Sequence, residues 1–157
     1  MSELDDLYQS LILDHNRSPR NFRALGAPSG TAEGKNPLCG DAFTVGVKVE
    51  NGVVTDVGFT GQGCAISKAS ASMMTTVIRG KRVEEAEQLF QRFHQVVTGS
   101  APADEEARTA VRKQLGCLSA FSGVSAFPIR VKCATLAWHT MREALRSAGS
   151  EASPDHQ

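Results

Sequence analysis

Residues 42–59 read Ala42-Phe43-Thr44-Val45-Gly46-Val47-Lys48-Val49-Glu50-Asn51-Gly52-Val53-Val54-Thr55-Asp56-Val57-Gly58-Phe59, and their spacing decides the fold. Phe43, Val45, Val47 and Val49 alternate with Thr44, Gly46, Lys48 and Glu50. That is the period of a strand with one apolar face. Asn51-Gly52 follows, the strongest short signal for a two-residue hairpin turn. Val53, Thr55, Val57 and Phe59 then resume the alternation. The pattern predicts an antiparallel hairpin whose two flanking loops meet at one end. Cys39 and Cys64, 25 positions apart (64 − 39), are therefore expected to be neighbours in space. A lone hairpin is marginal in water, so a third strand is expected. The otherwise irregular 20–35 segment is the place for it. The expected fold class is α+β: a small antiparallel sheet of about three strands, covered by helices on one face.

Helical periodicity flanks the hairpin. Ser2 to about Asn16 carries Leu4, Leu7, Tyr8 and Leu11 at helical spacing, with Ser2 and Asp5 resembling a capping box. Pro19 ends that helix, and Arg17–Lys35 is polar and rich in Gly and Pro, the composition of a loop. Cys64–Ile78 reads as a helix with a face of small residues, closed by Gly80. Val83–Val97 carries Ala86, Leu89, Phe90, Phe93 and Val97 on one stripe. Gly99–Ala103 reads as a linker, and Asp104–Leu115 as a short charged helix. Pro128 can open the last helix, whose buried stripe is Ala134, Ala137, Trp138, Met141 and Leu145. A single domain is expected over 1–147, with a disordered tail over 148–157.

The chain of 157 residues has 17 Lys+Arg against 17 Asp+Glu. That balance argues against a nucleic-acid partner, and the lack of any long apolar run argues against a membrane span. An acidic N-terminus points to the cytoplasm, where thiols stay reduced and four cysteines serve ligation or catalysis rather than disulfides.

Asn36-Pro37-Leu38-Cys39-Gly40-Asp41 sets a thiol and a carboxylate two positions apart around a glycine. A soft and a hard donor at that spacing suit a borderline ion such as Zn²⁺. Cys64 and Cys133, each expected at a helix start where the dipole favours thiolate, can complete a four-donor set with Cys39 and Asp41. The plainer reading is that these cysteines are small buried hydrophobes, and both stand at this point. Cys117, in the apolar Cys117–Phe127 stretch, reads as a core residue. His15, His94, His139 and His156 lie beside no cysteine. Arg130 and Lys132 flank Cys133 as solvated charges or as stabilisers of a thiolate or persulfide.

Several motifs then occur in one order. Asn36–Asp41, the run Gly61-Gln62-Gly63-Cys64-Ala65-Ile66-Ser67-Lys68-Ala69-Ser70-Ala71-Ser72-Met73-Met74 and the run Arg130-Val131-Lys132-Cys133-Ala134-Thr135-Leu136-Ala137-Trp138 resemble the three cysteine motifs of U-type iron–sulfur assembly proteins. Asp14-His15 and Pro19-Arg20-Asn21-Phe22 resemble their N-terminal segment, so that the likeness spans about 4–146. The IscU scaffold branch has His before the third cysteine, where this chain has Lys132. The SufU branch carries an insertion before that cysteine, and Gly99–Leu118 looks like it. The resemblance implies a zinc-bound sulfur acceptor, or sulfurtransferase, that takes persulfide sulfur from a SufS-type cysteine desulfurase and serves downstream Fe–S assembly proteins. It implies Cys39 as the acceptor, Asp41, Cys64 and Cys133 as further zinc ligands, and Arg130 near the site. The alternative is a scaffold on which a transient [2Fe–2S] cluster is built.

Overall fold

A computed structural model describes residues 3–37, 40–99 and 104–152. Ser2, Cys39, residues 100–103 and the end of the expected tail, 153–157, lie outside the described residues. Three strands, β1 (Gly30–Asn36), β2 (Asp41–Glu50) and β3 (Val53–Gln62), form an antiparallel sheet in the order β1-β2-β3. The helices are α1 (Glu3–Arg17), α2 (Ala65–Ile78), α3 (Val83–Thr98), α4 (Glu105–Leu115) and α5 (Pro128–Ala152), with a 3-10 segment over Gly116–Ala126. The α+β class is as expected.

The hairpin turns on Asn51 (φ 53°) and Gly52 (φ 77°), both left-handed, which suits the twist of the flanking strands. One detail departs from the sequence pattern. Lys48 pairs with Asp56 and Val49 with Val54, so Thr55 is the extra residue of a bulge. The bulge puts Val54, not Val53 or Thr55, into the core beside Val57 and Phe59.

The third strand occupies the second half of the segment reserved for it and overlaps the stretch read as loop. Its inward positions are Gly30, Ala32 and Gly34, paired with Val47, Val45 and Phe43. These positions are small because α5 lies on them. A β-carbon on Gly30 would meet Ala144 O at 2.2 Å and Ala148 N at 2.5 Å. The same packing corrects the tail: α5 runs on to Ala152, and Ala148 is buried against β1. The core joins Phe43, Val45, Val47 and Phe59 to Met73 and Met74 of α2, Phe93 of α3 and Trp138 and Met141 of α5. The α3 stripe is the one its spacing predicts.

The fold brings one end of the β2–β3 pair to the start of α2. Ala42 pairs with Gln62, so the residues just before β2 and just after β3 converge. Gly61 makes this crossing possible: its φ is 126°, and a β-carbon there would strike Ala42 O.

Candidate metal centre

Asp41 is the first residue of β2, Cys64 is the N-cap of α2, and Cys133 lies in the second turn of α5. Their ligand atoms lie within 4.8 Å of one another, the one such group found among the described residues. Asp41 and Cys133 are buried and Cys64 is half-buried. Two sulfurs and one carboxylate oxygen at that separation fit a tetrahedral zinc-type ion with one position left for a fourth donor. Cys39, expected to complete the set, lies outside the described residues. Its neighbour Gly40 is left-handed (φ 73°) and its amide donates to Asn36 O at 2.9 Å, which closes the loop just before Asp41.

The N-terminus of α2 organises the site. The Cys64 amide donates to Asp41 Oδ1 at 3.0 Å, and the Ser67 hydroxyl donates to Asp41 Oδ2. The Ser67 amide points at Cys64 Sγ from 3.5 Å, and its hydroxyl oxygen lies 3.4 Å from the same sulfur. Burial pushes the Cys64 thiol up, as does the Asp41 charge. Hydrogen bonds from the Ser67 amide and from Cys133 oppose both, and the net direction is down. The helix-start expectation therefore holds for Cys64. It does not hold for Cys133: with Pro128 as the first helical residue, Cys133 sits beyond the turn whose free amides carry the dipole effect.

The site opens on a cavity of about 530 Å³ lined by Cys64, Cys133, Arg130 and Ala126–Ile129. Arg130 is thus brought to the wall of the same cavity as the two sulfurs. Phe127 and Ile129, 62% and 69% exposed, stand on its rim as an apolar lip. Lys132 is exposed. Cys117 is half-buried in the 3-10 segment and outside the buried core, burial holds its thiol up, and it is not among the clustered donors. Ser67 is the site residue that sequence reasoning missed. The available signal was its place three residues after Cys64, the position from which a side chain reaches back to a helix cap.

One strand of the β-meander, one helix cap and one long helix thus each bring a sulfur or oxygen donor to one point, the arrangement of a candidate metal site. Residues 7–134 match the family model described as "NifU-like N terminal domain", and the chain belongs to that family. It is 39% identical over 142 residues to the zinc-dependent sulfurtransferase SufU of Bacillus subtilis, covering 90% of this chain and 91% of that one. It is 37% identical over 152 residues to the iron–sulfur cluster assembly scaffold protein IscU of Streptococcus pyogenes, covering 96% and 91%. A crystal structure described as a putative iron–sulfur cluster assembly scaffold protein for the SUF system from Fervidobacterium islandicum superposes with a TM-score of 0.76 at 30% identity, covering 92% and 96%. This is an iron–sulfur assembly family, and the relatives include both a sulfurtransferase and scaffolds by name. Among the described residues no helix is long and apolar enough to cross a membrane.

Proposed function

We propose that this chain is a zinc-dependent sulfur acceptor that takes persulfide sulfur from a SufS-type cysteine desulfurase, with Cys39 as the acceptor. The observation that carries this reading is the Asp41–Cys64–Cys133 cluster facing an open cavity with Arg130 on its wall. When bound, zinc would hold the cysteines as thiolates at neutral pH. Asp41, Cys64 and Cys133 are fixed by strand, cap and helix, whereas the sequence sets Cys39 beside Gly40 in the short connection before β2. Cys39 is therefore the donor whose departure disturbs the fold least. Its thiolate attacks the outer sulfur of the donor's persulfide. A new S–S bond forms on Cys39 as the old one breaks, and the donor's cysteine leaves as a thiolate, with no net oxidation. Arg130 offsets the negative charge on the persulfide in transit. The apolar lip of Phe127 and Ile129 gives the desulfurase a surface to cover around the site.

The test compares desulfurase turnover with and without this protein, together with metal content and mass labelling. About one zinc per chain, one added sulfur on Cys39 and loss of acceleration in Cys39→Ser are expected. Sulfur on Cys117, or acceleration that survives Cys39→Ser, refutes the assignment. The scaffold reading is favoured by the IscU relative, which is nearly as similar as SufU. Stoichiometric iron with labile sulfide in place of zinc would reverse the order. Lys132 stands where the scaffold branch has histidine, which supports the acceptor role.

A further inference from the structure

In an ordinary capping box, the third residue of a helix reaches back to the amide of its own cap. Here that geometry is split between two segments. Asp41, from β2, accepts from the Cys64 cap amide at Oδ1 and from the Ser67 hydroxyl at Oδ2. Both carboxylate oxygens are thereby fixed in plane, with lone pairs still available to an ion. Ser67 has no solvent exposure, so its hydroxyl bonds are made in surroundings that strengthen them. The same residue touches Cys64 Sγ through both its amide and its hydroxyl oxygen. One small side chain thus fixes the separation of an oxygen donor and a sulfur donor that come from different elements.

We propose that Ser67 is a positioning residue of the metal centre, which acts through Asp41 and holds that carboxylate in register with the Cys64 sulfur for a zinc-type ion. This rests on the reading of Asp41, Cys64 and Cys133 as metal donors. The hydroxyl has a single proton, and a carboxylate is the stronger acceptor, so the proton goes to Asp41 and the oxygen lone pairs face the sulfur. Removing the hydroxyl takes away the bond to Oδ2 that sets the plane of the Asp41 carboxylate. The carboxylate can then turn away from the cluster without any change in helix or strand.

The experiment is a zinc competition titration against a chromophoric chelator on wild type, Ser67→Ala, Ser67→Thr, Asp41→Asn and the Ser67→Ala/Asp41→Asn pair. Alanine is the best helix former, so the fold of Ser67→Ala is expected to survive, and circular dichroism of the metal-free proteins checks it. Losing a partner that orients a ligand typically weakens metal binding by about 10–100-fold, and that loss is expected for Ser67→Ala. Ser67→Thr, which keeps the hydroxyl, is expected to recover most of it. In the Asp41→Asn background the Ser67 substitution is expected to add little, because its target is gone. Cobalt substituted for zinc gives a second readout: the visible bands of Ser67→Ala shift toward those of Asp41→Asn. The proposal is overturned if Ser67→Ala binds zinc like wild type, or if the two losses multiply. Wild type that binds no zinc overturns the metal reading itself. Wild type that binds zinc with Ser67→Ala unchanged overturns only the role of Ser67.

Discussion

Gly63→Ala tests how tightly the corner between β3 and α2 is packed around the candidate ligands. A β-carbon on residue 63 would lie 2.7 Å from Phe43 Cζ, 3.0 Å from Ser67 Cβ and 3.1 Å from Asp41 Oδ1. Carbons in contact rest roughly 3.5–4.0 Å apart, so Phe43 must give way by about 1 Å and Ser67 by about half that. Neither has free space: Phe43 is 2% exposed, and its ring sits edge-on to Phe59 at 5.8 Å. Gly63 itself is exposed, but its methyl would press on two buried side chains, and overpacking of that kind costs about 1–3 kcal/mol. In a chain of this length each kcal/mol lowers Tm by about 2–4 °C, so a fall of about 2–12 °C is expected for the metal-free protein. Zinc binding suffers separately, because ligand positions tolerate only about 0.2 Å and the carboxylate must retreat by at least that much. Calorimetry of the metal-free form and a zinc competition titration measure the two effects. A Tm within 2 °C of wild type together with unchanged zinc affinity would show that the corner has slack, and would refute the reasoning.

Gly30→Ala presses a methyl onto backbone atoms of Ala144 and Ala148, and a loss of about 1–3 kcal/mol is expected in urea melts. Zinc affinity is expected to hold, because Cys133 lies about three helical turns from that contact; an unchanged melt would mean that α5 does not sit this close to β1. His15 bonds Ser72 Oγ through Nδ1 at 2.7 Å, and burial, followed by the Arg20 charge, holds it below its usual 6.5 against the opposing pull of Asp14. The folded state therefore resists a proton that the unfolded chain accepts below 6.5. His15 is expected to contribute stability above that pH and to lose it as pH falls through 6.5 toward the lower folded value. His15→Gln should flatten this part of the profile of Tm against pH, and a parallel profile would refute the assignment.

The hairpin was legible because its strands alternate and Asn51-Gly52 is a turn that few other sequences can make. β1 was not, since Gly30-Thr31-Ala32-Glu33-Gly34 lacks the branched and aromatic residues that mark strands. Its small inward residues exist for α5, which is a tertiary fact. The end of α5 was misread for the same reason: Ser147-Ala148-Gly149-Ser150 has the composition of a tail, yet Ala148 packs on Gly30. Asp41 and Cys64 could be placed together from strand pairing alone. Cys133 joined them only through the packing of α5, although its depth in that helix could be counted from Pro128, the residue read as opening it.

The small face of α2 was read as room for close packing, and its hydroxyls proved to matter as much as its size. Ser67 holds Asp41 of β2. Ser70 donates to Ala134 O at 2.5 Å, beside Cys133 on α5. Ser72 accepts the Arg20 amide at 2.8 Å and bonds His15 of α1, and Thr75 accepts from Asn21 at 3.0 Å. All four side chains are buried. Each bond contributes only about 0.5–1.5 kcal/mol net, but each is directional in a way that apolar contact is not. The helix capped by Cys64 is thus pinned to the elements that carry Asp41 and Cys133. Apolar packing brings β2, α2 and α5 together, and the hydroxyls set the register in which an oxygen and two sulfurs converge. Thr and Ser are poor helix formers in isolation, so their concentration on this one helix makes sense only if the alignment they impose is worth the propensity lost.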